Sequence, residues 1–171
     1  MPAASSLAVI ARHPELQLRS FAPGTVLLEE GPATGRMYVL ASGEIEIAKG
    51  DVIVARVLEE GAIFGEISAL LGLGHSATVR AASEITAYEI HDAAKFLDNS
   101  PDLMRNVASL LARRLIDATT YLTDLKQQYS SREDHFVMVD QILEALVNQQ
   151  EVQVAPVVTR SSDARSGDGR V

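Results

Sequence analysis

The sequence predicts a mainly β domain with flanking helices, and three observations lead to this prediction. Between Phe21 and Ile90, short alternating runs are separated by glycine turns about every 6 to 12 residues, which is typical of a small all-β barrel or sandwich. After Ile90 the apolar period changes from 2 to about 3.5, which indicates a long helix. The 171 residues, 47% hydrophobic and 22% charged, suit one core with attached helices.

The composition excludes several kinds of site. Lys and Arg number 15 against 23 Asp and Glu, a net charge of -8 that argues against direct contact with nucleic acid. Because there is no cysteine, disulfides and thiol nucleophiles are excluded, and the four histidines lack ligand spacing, so no metal site is predicted. No apolar run approaches the roughly 20 residues that cross a bilayer, and no signal-peptide pattern occurs, so we expect a cytoplasmic protein with no membrane role.

The first elements are a short helix and a series of strands. A helix is predicted over residues 5–20, with Ser5 or Ser6 as its cap and an interruption at Pro14. Strands are predicted at Thr25–Glu29, Met37–Ala41, Glu44–Ile47, Val52–Leu58, Ala77–Ala81 and Thr86–Ile90. The clearest of them, Glu44–Ile47, places both isoleucines on one face and both glutamates on the other.

A long helix is predicted to begin at Ser100-Pro101-Asp102, with the serine as cap and the proline at the first helical position. Apolar side chains then recur in heptads at Met104, Ala108, Leu111, Leu115, Ala118, Leu122, Leu125 and Tyr129. Such a seam packs against another helix in a homodimer, or against the chain's own β domain, and both alternatives are open. Arg113 and Arg114 are interpreted as a solvated flank of the seam.

The remaining residues complete the predicted organisation: a β domain with its N-terminal helix over 1–98, a dimerisation helix over 99–130, an amphipathic helix over 131–155 and a disordered tail over 156–171. The amphipathic helix either folds back on the dimer or docks a protein partner. The roughly 40 residues after Tyr129 show no helix-turn-helix pattern, so a direct transcription factor is not predicted.

The segment from Phe64 to Arg80 is the candidate for chemistry. It joins a short helical turn to a loop of small residues that enters a strand, and the amides of such a turn suit an anion lying close to the backbone. Glu66 has the acceptor atoms for a sugar hydroxyl. No pairing of nucleophile and base emerges, so we do not predict an enzyme.

With this segment and several turn motifs before it, the chain resembles the cyclic nucleotide-binding domain family. The resemblance runs from about Leu16 to Ile90 and depends on Phe21-x-Pro23-Gly24, Glu30-Gly31, Tyr38-Val39-Leu40 with Ser42-Gly43, and Gly61-x-x-Phe64-Gly65-Glu66. It implies an eight-stranded β-roll, a jelly-roll-like double-stranded β-helix, with flanking helices. The long helix resembles the dimerisation helix of the family's bacterial activators.

The resemblance also implies a phosphate-binding cassette for cAMP or cGMP, with no separate cofactor. Glu66 matches the glutamate that takes the ribose 2′-hydroxyl, and the amides of Gly65 and Ser68 match backbone contacts to the ribose and phosphate. Ser76 and Ala77 match small residues near the phosphate and base. The full set of predicted ligand-binding residues is Gly65, Glu66, Ile67, Ser68, His75, Ser76 and Ala77.

His75 stands where the family places an arginine that pairs with the phosphate. A histidine with a pKa of about 6.5 is mostly neutral at cytoplasmic pH and lacks the two-pronged guanidinium. Two functions therefore stay open: a cyclic nucleotide sensor that signals to a protein partner, or a nucleotide-blind dimerisation module. Arg80 is either a substitute phosphate partner or a solvated strand residue.

Overall fold

The computed structural model of the chain describes residues 5–129 and 141–143. Within them, eight antiparallel strands form two four-stranded sheets with flanking helices. The strands are β1 Leu18–Phe21, β2 Val26–Leu28, β3 Met37–Ser42, β4 Ile45–Lys49, β5 Val52–Val57, β6 Ile63–Phe64, β7 Thr78–Ala81 and β8 Ile85–Ile90. The helices are α1 Ser6–Ile10, α2 Glu66–Leu71, α3 Ala93–Asp98 and α4 Pro101–Tyr129. The predicted fold class, a β-roll with flanking helices, is confirmed.

The strands pair mainly with partners that are distant in sequence. One sheet has the order β1-β8-β3-β6 and the other β2-β7-β4-β5. Val39 lies opposite Tyr88 in the first sheet, and Ile47 lies opposite Val79 in the second. Because β6 and β7 belong to different sheets, the connection over residues 65–77 passes from one sheet to the other. This connection is the candidate cassette.

Strand β3 has a continuous apolar run at its centre, and burial of both of its faces explains this run. Successive side chains of a strand face opposite sides, and both sides of β3 are buried. Met37 and Val39 belong to a core formed with α1, α3 and α4, whereas Tyr38 and Leu40 belong to a core shared by the two sheets. The first core includes Val9, Ile10, Leu97, Leu103 and Val107; the second includes Leu28, Ile45, Phe64, Val79 and Ile85.

The N-terminal helix is shorter than predicted. Ser5 caps α1 as expected, accepting a hydrogen bond from the Ala8 amide at 3.2 Å, but the helix ends at Ile10. The prediction of helix up to residue 20 was wrong, because Leu18–Phe21 forms edge strand β1 against β8. Pro14, which has no N–H to continue a helix, lies between the two elements.

Helix α4 begins at Pro101 as predicted, although not with the predicted side-chain cap. The Oγ atom of Ser100 is buried and has no hydrogen-bond partner among the described residues. Leu103 and Val107 are fully buried in the chain's own core, and Met104 and Leu111 of the predicted seam pack partly against it. The start of α4 therefore packs on its own domain, and pairing of the later seam positions with a second chain stays a prediction.

The chain divides into two units between Arg114 and Leu115, within α4. Residues 141–143 are helical, whereas 130–140 and 144–171 lie outside the described residues, and with them most of the predicted helix over 131–155 and the whole predicted tail over 156–171. In the part of the chain that the structure describes, no helix is apolar enough over a sufficient length to cross a membrane.

Candidate functional site

Gly65 turns the chain from β6 into α2. Its φ is +92°, and a Cβ atom there would lie 2.6 Å from the carbonyl oxygen of Arg36 and 3.0 Å from Cδ1 of Leu28. A positive φ together with this close approach requires glycine. The turn places Glu66 at the first position of α2, where its side chain is only 4% exposed.

The loop that follows α2 is fixed against the turn at Gly31. The Gly31 amide donates to the carbonyl of His75 at 2.9 Å, and a Cβ atom at Gly74 would lie 1.8 Å from the Gly31 carbonyl oxygen. Ser68 Oγ donates to the Leu73 carbonyl at 2.5 Å, which joins α2 to the same loop. The backbone of the candidate cassette is therefore held at both ends.

A cavity of about 240 Å³ lies beside this loop, and all seven predicted ligand-binding residues line it. The others are Leu28, Ile47, Ala55, Val57, Phe64, Val79 and Arg114. An apolar wall with a few converging polar groups is typical of a small-molecule site, although the volume is below the range of roughly 300–1,000 Å³ common for such pockets.

His75 supplies no positive charge to this cavity at neutral pH. The residue is 5% exposed, and its Nε2 atom lies 2.8 Å from Oγ1 of Thr34. Burial lowers the pKa of His75 below its ordinary value, because removal from water disfavours the imidazolium form. The structure therefore places a neutral, hydrogen-bonded imidazole at the position where the resemblance leads one to expect an arginine.

Arg114, on α4, is the site residue that sequence reasoning missed. Its Nη1 atom donates to Oε1 of Glu66 at 2.5 Å, and its side chain, 45% exposed, lines the cavity. The interpretation of Arg114 as a solvated flank of the seam was wrong, because its guanidinium reaches a buried carboxylate 48 residues away in sequence. No local pattern in the sequence indicates this contact.

Arg80 belongs to the opposite face of the sheet. Ile47 and Val79 form a cross-strand pair that lines the cavity, so the neighbouring pair of Glu46 and Arg80 faces the other side. The hydrogen bond from Arg80 lowers the pKa of Glu46 and, with the charge of Arg56, outweighs the opposing effect of burial. Arg80 is thus engaged by Glu46, and the structure does not place it as a phosphate partner.

Comparison with known families identifies the class of this domain. Residues 18–98 match the sequence profile of the family described as Cyclic nucleotide-binding domain. The same residues contain the two rolled sheets and the loop that lines the cavity. Residues 18–98 therefore belong to the cyclic nucleotide-binding domain family, as the resemblance implied.

Individual relatives match only part of their own length. The chain is 39% identical over 64 residues to a cAMP-dependent protein kinase regulatory subunit of Yarrowia lipolytica, covering 37% of this chain and 17% of that protein. It is 43% identical over 68 residues to an uncharacterized ABC transporter ATP-binding protein of Mycobacterium tuberculosis, covering 37% and 21%. The chain thus spans about a fifth of the curated relatives it matches.

A solved structure extends the likeness in fold. The catabolite activator protein of Thermus thermophilus superposes with a TM-score of 0.56 at 20% identity, covering 88% of this chain and 84% of that one. At this identity the likeness establishes a shared fold.

Proposed function

We propose that the chain is a cytoplasmic regulatory module whose β-roll binds a cyclic nucleotide, cAMP or cGMP, and that it is not an enzyme. The observation that carries this proposal is that all seven predicted ligand-binding residues line one cavity within a cyclic nucleotide-binding domain. The cAMP-dependent kinase regulatory subunit among its relatives supports this class of ligand.

Six of the predicted ligand-binding residues have the following proposed roles. Glu66 accepts a hydrogen bond from the ribose 2′-hydroxyl through Oε2, because a carboxylate that holds Arg114 on Oε1 still has acceptor capacity on its other oxygen. The amides of Gly65 and Ser68 lie near the ribose and phosphate, and the small side chains of Ser76 and Ala77 let the ligand approach the backbone. Ile67 contributes to the cavity wall.

The proposed output is a homodimer formed through α4, with a protein partner bound by the C-terminal helices. Leu115 is 42% exposed, and Leu122 and Leu125 are only half-buried, so the seam retains apolar surface that a second helix would cover. A ligand couples to such a helix only if it favours one of two helix arrangements by differential contacts.

A nucleotide-blind interaction module is the second candidate. Its supporting observation is that the imidazole and the carboxylate of the cavity already have protein partners: Thr34 engages His75, and Arg114 engages Glu66. In this alternative the fold serves dimerisation and partner binding alone.

Calorimetric titration with cAMP and cGMP tests the proposal, at about pH 6 and about pH 7.5, with the His75→Arg variant beside the native chain. We expect the native chain to bind, and to bind more tightly at the lower pH, because a nearby phosphate favours the imidazolium form of His75. If the native chain shows no binding at millimolar ligand whereas His75→Arg binds, the chain is the nucleotide-blind module. If neither chain binds, the proposal of a nucleotide site is refuted.

A further inference from the structure

The charged groups of the cavity come from two distant parts of the chain. Among the described residues that line it, Glu66 on α2 is the only one with a carboxylate, and Arg114 on α4 is the only lysine or arginine. His75 is the third titratable residue, and its imidazole is neutral at neutral pH. At neutral pH, the positively charged side chain that the cavity offers to an anion is therefore that of Arg114.

We propose that Arg114 holds the anionic phosphate of the ligand in this cavity and that Glu66 positions its guanidinium. This inference rests on the proposed function and names the cation that the function needs. A guanidinium carries five N–H donors, and the ion pair engages Nη1. The other donors of this half-exposed side chain are available for a second, charge-assisted contact.

Electrostatics favour retention of Arg114 in the occupied cavity over its displacement. If a ligand pushed the guanidinium away, Glu66 would be left buried without its cation, which is costly. The carboxylate would also face the ligand's negative phosphate in a poorly solvated site, where like charges repel strongly. With Arg114 in place, its charge compensates that of Glu66, and its other N–H groups can donate to the phosphate.

The position of Arg114 gives the contact a regulatory consequence. Arg114 belongs to α4, whereas Glu66 and the cassette belong to the connection between the two sheets. A phosphate that bridges the cassette amides and Arg114 would link α4 to the β-roll in addition to the Arg114–Glu66 ion pair. Binding would then stabilise the packing of the start of α4 on its own domain.

Titration with cAMP tests the proposal in the native chain, Arg114→Gln, Arg114→Lys and the neighbouring control Arg113→Gln. Arg113 is exposed and does not line the cavity. We expect Arg114→Gln to weaken binding by about 10- to 100-fold, the effect of losing a charge-assisted bond, and Arg113→Gln to change it by less than about twofold. Arg114→Lys should retain part of the affinity, because lysine keeps the positive charge but lacks the planar guanidinium that can donate two parallel hydrogen bonds. Thermal unfolding of each variant verifies that it is folded.

A second comparison separates direct contact from simple neutralisation of Glu66. In a Glu66→Gln background there is no carboxylate to neutralise, and we expect Arg114→Gln still to weaken cAMP binding several-fold. No effect of Arg114→Gln in that background, or native binding that Arg114→Gln leaves unchanged or tightens, would overturn the inference while the proposed function stands. Absence of cAMP and cGMP binding by the native chain would overturn both.

Discussion

The hydroxyl of Thr34 lies 2.8 Å from Nε2 of His75, and this contact joins the loop after the Gly31 turn to the candidate cassette. Because His75 is buried and its partner is uncharged, the imidazole is held in its neutral form. The residue that departs from the family pattern is therefore part of the packing of the site, and its protonation affects both stability and binding.

The first prediction concerns stability against pH. The pKa of His75 is lowered in the folded chain, so below about pH 6.5 the unfolded chain binds more protons at this residue. His75 should therefore make the folded chain less stable as pH falls from about 6.5 towards the lowered pKa. In chemical denaturation at a series of pH values, His75→Gln should show a flatter profile in this window than the native chain. Parallel profiles would contradict the assignment.

The second prediction concerns the turn into α2. Gly65→Ala should destabilise the fold by about 1–3 kcal/mol, because the variant combines a positive φ with a Cβ 2.6 Å from a carbonyl oxygen. Gly24→Ala is the matched control: its φ is +85°, and a Cβ there meets nothing within 4 Å. Denaturant unfolding should show a larger loss for Gly65→Ala. Equal losses would mean that the close approach to Arg36 has no cost.

The third prediction concerns the buried carboxylate of Glu89. Burial raises the pKa of Glu89, but hydrogen bonds from Tyr38, at 2.9 Å, and from Arg19 outweigh it, so the pKa is lowered. Tyr38→Phe should cost about 1.5–3 kcal/mol of unfolding free energy, as expected for a hydrogen bond to a charged group. The control is Tyr88→Phe, which should cost much less, because the Tyr88 hydroxyl makes no hydrogen bond within the described residues.

The acid limb of the stability profile provides a separate test of Glu89. A carboxyl whose folded pKa is lowered contributes stability above its ordinary pKa of about 4.5, and this contribution is lost as pH falls through the folded value. Glu89→Gln should flatten the stability profile below about pH 4.5. An acid limb as steep as that of the native chain would show that other carboxyls dominate it.

The fourth prediction separates Arg80 from the cavity. Since Arg80 pairs with Glu46 on the far face of its sheet, Arg80→Gln should change cAMP affinity by less than about twofold in calorimetry. Arg114→Gln, measured in parallel, is the positive control. A loss of tenfold or more at Arg80 would restore it as a phosphate partner.

The fifth prediction concerns the α4 seam. If the later heptad positions pair two chains, the native protein should have twice the chain mass of 18.4 kDa in light scattering, and Leu122→Glu should have the monomer mass. Thr120→Glu, an exposed position outside the heptad set, should leave the dimer intact. A native monomer, or a dimer that survives Leu122→Glu, would rule out this seam as the interface.

Local patterns were sufficient for most of the fold. Alternation at Glu44–Ile47 predicted that the isoleucines share one face, and Ile45 is buried while Glu46 pairs with arginines on the other. Residues 18–21 and 63–64 were not predicted as strands, because β1 is an exposed edge strand and β6 has two residues. Such short segments form strands because they pair with neighbouring strands, and the local hydrophobic pattern does not indicate that pairing.

The sequence by itself determined a small all-β domain and the start of α4, because periodicity and turn glycines act over a few residues. Its resemblance to the family added the β-roll and seven of the residues that line the cavity. Only the tertiary structure decided the charge of the site. Burial against Thr34 keeps His75 neutral, and the packing of Leu103 and Val107 fixes the start of α4 against the core, along the helix that carries Arg114 to Glu66. These contacts join residues more than 40 positions apart, so their existence depends on how the elements pack.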